Sequence, residues 1–167
     1  MRRSKIVVPV HLVWATHGRL PLIQNIWKEE FFDCLRLELT KLRVELLAVG
    51  GVEDHVHVAI LLPATRTISE IVKQLKGASS RLLAQKLSTT DGFFKWQEGY
   101  GAFAFHIGLK NQVVAYIENQ VTHHATNDLW PALESVDEET SLVREDADEV
   151  GYEARDFNPS SGENPFL

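Results

Sequence analysis

GGVEDHVHVAILLP, Gly50 to Pro63, is the stretch whose reading decides the fold. From His55 onward it reads as a strand, and in a strand residues two apart project from the same face. His55 and His57 therefore present their imidazoles side by side, with Val56 turned the other way. Upstream, VELLAVGG (Val44 to Gly51) is a second strand, and Gly50, Gly51 and the few residues after them read as the turn of a hairpin.

Working outward, KIVVPVHLVWAT (Lys5 to Thr16) is rich in β-branched residues and closes at HGRLP, which marks a first strand. Its Pro9 places that strand at a sheet edge or a bulge. QNIWKEEFFDCLRLELTKLR spaces Trp27, Phe31, Leu35, Leu39 and Leu42 as one face of a helix. TRTISEIVKQLKGASSRLLAQKL opens with Thr67 three residues before Glu70, a capping box, and repeats Ile68, Ile71, Val72, Leu75 and Leu82 on one side. GFFKWQEGYGAFAFHIG has glycine-punctuated strand character. LKNQVVAYIENQVTHHAT then forms a last helix, with Val113, Ile117 and Val121 as its apolar stripe. The order β-α-β-β-α-β plus one helix predicts an α+β fold of the ferredoxin-like or RRM-like kind. Its antiparallel sheet carries both helices on one face, and a further C-terminal helix follows.

The 167 residues carry 44% apolar content, enough for one packed domain and a short appendage. Residues 1–130 are expected to form that domain and residues 131–167 an acidic, mobile tail. The net charge of −6 is unevenly spread: residues 1–132 hold 15 Lys and Arg against 12 Asp and Glu, whereas residues 133–167 hold 2 against 11. A mildly basic body is compatible with binding phosphate, and the acidic tail would compete with phosphate for it. No apolar run approaches the length of a membrane helix, and no cleavage signal follows the start; both point to a cytoplasmic protein with no membrane partner. Cys34 is the single cysteine, which excludes an internal disulfide and a cysteine-based metal cage.

Two nitrogen donors at the spacing of His55 and His57 can grip one divalent ion, although an isolated H-x-H is more often the polar face of a half-buried strand. Tyr116 and Gln120 lie four residues apart on the last helix, beside rather than on its apolar stripe. With a metal polarising a phosphate, Tyr116 can serve as a phosphorus nucleophile and Gln120 can offer its amide oxygen to the same ion, although by spacing alone the pair is more often a packed tyrosine and a solvated glutamine. His123 shares their face, while His124 falls with the stripe, and His11 and His106 read as structural strand residues. Asp54 is adjacent but, on a regular strand, points away from both histidines. For phosphate contacts the sequence offers Arg2, Arg3, Lys5, Arg19, Lys73, Lys76 and Arg81, with Ser79 and Ser80 as short donors. Trp96 and Tyr100 flank a turn where a base could stack, though such aromatics more often pack under the turn.

VHLVWATHGRLP, VEDHVHVAILLP, LKGASSRLL, WQEGYGAF and VVAYIENQVTHH occur in an order and spacing that resembles the small single-tyrosine HUH transposases. These comprise the insertion-sequence-200-like group and its repeat-associated relatives. The resemblance spans about residues 6–127; FHIGLKNQ (Phe105 to Gln112) departs from it in lacking the family's serine- and lysine-rich look. The resemblance implies a DNA transposase that cuts and rejoins single-stranded DNA beside hairpins through a 5′-phosphotyrosine. On that model Tyr116 is the nucleophile, and His55, His57 and Gln120 bind Mg²⁺ or Mn²⁺. It also implies a homodimer in which the final helix completes the partner's site. The alternative is a domesticated, non-catalytic binder of structured single-stranded nucleic acid.

Overall fold

The computed structural model describes residues 5–88, 92–130 and 134. Four strands, β1 (Pro9–Ala15), β2 (Glu45–Gly51), β3 (His55–Leu61) and β4 (Gly101–Ala104), form one sheet in the order β2-β3-β1-β4, every pairing antiparallel. Helices α1 (Lys28–Leu42) and α2 (Ile68–Ser88) connect β1 to β2 and β3 to β4; α3 (Lys110–Glu118) and α4 (Gln120–Thr126) follow the last strand. This is the expected split β-α-β arrangement.

Alternation along β1 and β3 builds the main core. Val10, Leu12 and Trp14 of β1 and Val56, Val58 and Ile60 of β3 face the same side, where they meet Phe31, Leu35 and Leu39 of α1 and Ile71, Leu75 and Leu83 of α2. Fully burying each such aliphatic chain contributes roughly 1.5–3 kcal/mol. The capping box forms as read: Glu70 N–H donates to Thr67 Oγ1 at 3.2 Å and Thr67 N–H donates to Glu70 Oε2 at 3.0 Å. Glu38 is buried in α1 yet satisfied by Lys41 Nζ and Gln74 Nε2, both at 2.6 Å. Trp96 packs edge-on to Trp14 and Phe94, and its indole N–H donates to the buried Ser79 Oγ, so Trp96 and Ser79 serve the core rather than a nucleic acid.

Three sequence expectations are corrected. Pro9 is not on an edge: β1 lies between β3 and β4, and proline is accommodated because it is the first residue of the strand. Gly50 and Gly51 are not in the hairpin turn; they pair with His57 and Val56, and the turn is Val52 to Asp54. The last helix is not continuous. At Asn119 the backbone leaves helical geometry (φ −102°, ψ 21°) while the side-chain amide donates to the Ala115 carbonyl at 2.7 Å. The break turns Val121 out to 61% exposure and leaves Val113, Tyr116 and Ile117 packed with Ala48 and Ala59 on the sheet face opposite α1 and α2.

Gly50 makes that packing possible. A Cβ there would stand 1.9 Å from the carbonyl oxygen of Ile117, so only glycine lets α3 descend onto β2. Among the described residues no helix is long and apolar enough to cross a membrane.

Candidate active site

His55 and His57 are both buried on the sheet face beneath α3, their rings 4.9 Å apart. Each imidazole is held from behind through Nδ1. His55 Nδ1–H donates to Asp54 Oδ1 at 2.6 Å, and Arg19 Nη1 lies 3.8 Å from the other oxygen of that carboxylate. Asp54 thus does not point away: β3 begins only at His55, and the turn conformation lets the Asp54 side chain fold back. His57 Nδ1 is 2.9 Å from Nε2 of His11, which is not a remote structural residue but stacks on His57 from the neighbouring strand. With both Nδ1 atoms engaged, both Nε2 atoms turn to the same space.

The electrostatics separate the three rings. Burial, reinforced by neighbouring His57, pushes His11 down to about 3, and burial likewise lowers His57. Burial also opposes charge on His55, but the hydrogen bonds and charges of Asp54 and Glu134 outweigh it, and its pKa is raised. His55 is therefore the ring that carries a proton most readily.

Tyr116 closes the site from above. Its ring stands edge-on to His57 with centroids 6.2 Å apart, and Trp130 stacks on its other side at 4.9 Å and 15°. The hydroxyl donates to the carboxylate of Glu134 and accepts from the Trp130 backbone N–H at 3.2 Å. Burial first, then the Glu134 contact, push the phenol up to about 12. Tyr116 and Gln120 do not stand apart from the local core as the helical phase implied: both are buried, and Tyr116 belongs to the cluster of Val113 and Ile117. His123 lies against the Tyr116 ring, as its phase implied.

Two further groups enter that the sequence did not single out. His124 Nε2 is 3.1 Å from His55 Nε2, brought there by the break at Asn119 rather than packed with the apolar stripe. Glu134 places Oε2 3.4 Å from His55 Nε2 and 3.7 Å from His124 Nε2, with Oε1 3.5 Å from His57 Nε2. Burial alone would raise the Glu134 pKa, but its contacts with His55, His57 and Tyr116 hold it far below the usual carboxylate range. No short-range pattern marks Glu134, which is one of many acidic residues after Trp130; His124 is visible only as the second half of a His-His pair.

The donor set fits a divalent cation. Among the described residues, His57 Nε2 and Gln120 Oε1 are buried without a hydrogen-bond partner, and both are ligand atoms. His55, His124 and Glu134 bring donors to within 3.1–3.7 Å of one another. Donors that share one small cation stand about 3–3.5 Å apart when each is about 2.1 Å from it.

Of the phosphate-binding candidates, Arg19 lies at the site and lines an open cleft of about 450 Å³ with Asp54, Val121 and His124. Lys73 and Arg81 are exposed on α2, beyond the opposite face of the sheet, and Ser80 is half-buried there. Lys76 is committed elsewhere: its ammonium donates to the carbonyls of Gln97 and Gly99 at 2.7 and 2.9 Å. Lys5 is exposed ahead of β1, and Arg2 and Arg3 lie outside the described residues, as does the tail from residue 135.

The chain is 26% identical over 114 residues to the ISDra2 transposase TnpA of Deinococcus radiodurans, covering 66% of this chain and 81% of that protein. A protein of Deinococcus radiodurans R1 solved as a candidate transposase superposes with a TM-score of 0.57 at 28% identity, over 72% of this chain and 96% of the other. The REP-associated tyrosine transposase bound to a REP hairpin shares the fold, with a TM-score of 0.55 at 14% identity over 92% and 98%. Residues 4–120 match the family model described as IS200-like transposase, and the chain belongs to that family of tyrosine transposases.

Proposed function

We propose that this transposase cleaves and rejoins single-stranded DNA at hairpin-bearing ends, with Tyr116 forming a 5′-phosphotyrosine intermediate. One observation carries the reading. The Tyr116 hydroxyl and the Nε2 atoms of His55 and His57 converge on a single anion, the Glu134 carboxylate. A nucleophile and the donors that neutralise a phosphate are thereby within reach of the same oxygen atoms. The binding of a REP hairpin by a protein of the same fold supports hairpin DNA as the substrate.

In the cleavage step the Tyr116 oxygen bonds to phosphorus, the P–O3′ bond breaks, the phenolic proton is lost and the 3′ oxygen takes one up to leave as a hydroxyl. The Trp130 N–H donates to the tyrosyl oxygen and stabilises charge developing there. The phosphotyrosine retains the bond energy, so attack by a 3′ hydroxyl rejoins the strand without an external energy source. His55, His57 and Gln120 would hold Mg²⁺ or Mn²⁺, with His124 and Glu134 as additional donors; when bound, the ion polarises the phosphate and offsets its charge. Arg19 is placed to take the phosphate backbone beside the site, and Arg2, Arg3, Lys5, Lys73, Ser80 and Arg81 are the remaining DNA contacts of this reading, without Lys76, whose ammonium is taken up by backbone carbonyls.

The test is incubation of the protein and Tyr116→Phe with labelled single-stranded hairpin DNA from the gene's own flanks and Mn²⁺, followed by a denaturing gel. A metal-dependent adduct that vanishes in the variant supports the reading. Binding with no adduct, on a demonstrably correct flank, favours the domesticated binder. A homodimer exchanging α3 and α4 belongs to the same proposal, and light scattering distinguishes it from the 18.9 kDa monomer.

A further inference from the structure

The open cleft of about 450 Å³ beside the histidines carries two groups to which the chemistry above gives no task, the outer edge of the Arg19 guanidinium and the carboxylate of Glu53. Its size lies within the roughly 300–1,000 Å³ of small-ligand sites. Arg19 enters the cleft from a loop of unfavourable shape. Gly18 and Arg19 both take left-handed backbone (φ 64° and 55°), which a residue other than glycine seldom adopts. The fully buried Thr16 pins that loop, its hydroxyl 2.6 Å from the Leu20 carbonyl oxygen and 3.1 Å from that of Asp54. Both described contacts of the guanidinium fall on Nη1, which is 3.4 Å from His55 Nδ1 and 3.8 Å from Asp54 Oδ2. The Nε–Nη2 edge has no partner among the described residues. Glu53, in the turn between β2 and β3, is exposed and makes no side-chain hydrogen bond or salt bridge to a described residue, with the Lys28 ammonium as a neighbouring charge. Pro21 and the 61%-exposed Val121 supply apolar surface. His124, whose Nε2 is 3.1 Å from His55 Nε2, joins the cleft to the site.

We propose that this cleft is a guanine subsite for one nucleotide flanking the scissile phosphate, with Arg19 donating to O6 and N7 and Glu53 accepting from N1–H and N2–H₂. The inference rests on the proposed function and adds base selection to it. Guanine is the base that offers two adjacent acceptors on one edge and two adjacent donors on the next. These match the fork of an arginine and the paired oxygens of a carboxylate. Adenine turns its N6 amino group toward the guanidinium and its N1 lone pair toward the carboxylate, so like meets like at both. Thymine and cytosine offer at most one matching group to each partner. Pro21 and Val121 give the ring apolar contact, which adds affinity without selectivity. The left-handed backbone at Arg19 aims a planar donor edge, a demand that base recognition makes and that attraction to a phosphate charge does not. Nη1, on the side of Asp54 and His55, is left for the phosphate.

The experiment titrates the full-length protein, with Mn²⁺ present, against the 5′- and 3′-monophosphates of the four deoxynucleosides by calorimetry. The two isomers place the phosphate on opposite sides of the sugar, so the one that binds identifies the flank the subsite serves. The expected result is that one dGMP isomer binds about tenfold tighter than the matching dAMP, dCMP and TMP. The deoxyinosine analogue lacks the N2 amino group and the 7-deazaguanine analogue lacks N7; each should lose most of that advantage. Glu53→Gln should weaken dGMP about tenfold and erase the difference between dGMP and dIMP. The analogue comparison needs no variant, so it decides the matter even where Glu53→Gln disturbs the turn. Nucleotides that bind alike, or none that binds, overturn the subsite, and a metal-dependent adduct on hairpin DNA then leaves the transposase reading intact. A preference for dGMP over dIMP that survives Glu53→Gln overturns the pairing with Glu53. Selective dGMP binding with no adduct on a correct flank retains the subsite and overturns the catalytic reading instead.

Discussion

Asp54 Oδ1 and His55 Nδ1 are 2.6 Å apart, so the residue before the histidine pair holds the first histidine's ring with its Nε2 toward Glu134 and His124. A carboxylate behind a metal-binding imidazole orients the ring and raises its basicity, and loss of such a partner costs roughly 10–100-fold in metal affinity. Asp54→Ala is therefore expected to weaken Mn²⁺ binding by about that factor, read by electron paramagnetic resonance of free Mn²⁺. An affinity within twofold of the native protein would show that Asp54 does not orient the ring.

The same contact sets a pH dependence. Because the His55 pKa is raised in the folded protein, the metal-free site holds a proton there at pH values above the ordinary 6.5. That proton must leave for Nε2 and Nδ1 to serve ligand and donor, so Mn²⁺ affinity should rise with pH above 6.5 and then level off. For folding the sign is opposite. The stability His55 contributes is fully present below 6.5 and is lost as pH rises through its folded value. Affinity that is flat from pH 6 to 9 would contradict the protonated site.

His11 runs the other way. Its pKa falls from 6.5 to about 3 in the buried stack with His57, so the unfolded chain binds a proton that the folded chain refuses. Acidification from pH 6.5 toward 3 should cost about 1.4 kcal/mol of stability per unit from this group. Urea unfolding at several pH values measures the slope, and His11→Phe should flatten it.

Gly50→Ala tests how α3 is seated. The new methyl would meet the Ile117 carbonyl at 1.9 Å, a backbone contact that only movement of α3 or β2 can relieve. A loss of about 1–3 kcal/mol is expected, with adduct formation falling further than stability because Tyr116 is the residue before Ile117. Normal adduct formation in a folded Gly50→Ala protein would mean that the position of α3 on β2 is not needed for the chemistry.

Thr67→Ala is the complementary control. It removes the hydroxyl that accepts the Glu70 N–H at the start of α2, on the far side of the sheet from Tyr116. About 1 kcal/mol of stability should be lost, with Mn²⁺ affinity unchanged. A change in Mn²⁺ affinity would reveal coupling across the sheet.

The sequence by itself determined the element order, the capping box at Thr67 and the two histidines on one strand face, because each depends on neighbours within about four residues. Tyr116 and Gln120 were legible as a pair for the same reason, although their burial was not: it depends on how α3 meets β2 across Gly50. Tertiary structure alone decided the rest. His11 reaches His57 only through the β1–β3 register, His124 turns to His55 only because the helix breaks at Asn119, and Glu134 arrives at the histidines from 77 residues beyond His57. Side-chain periodicity reports which face a residue takes on its own element. Which element comes to lie over that face is set by long-range packing, which local spacing does not encode.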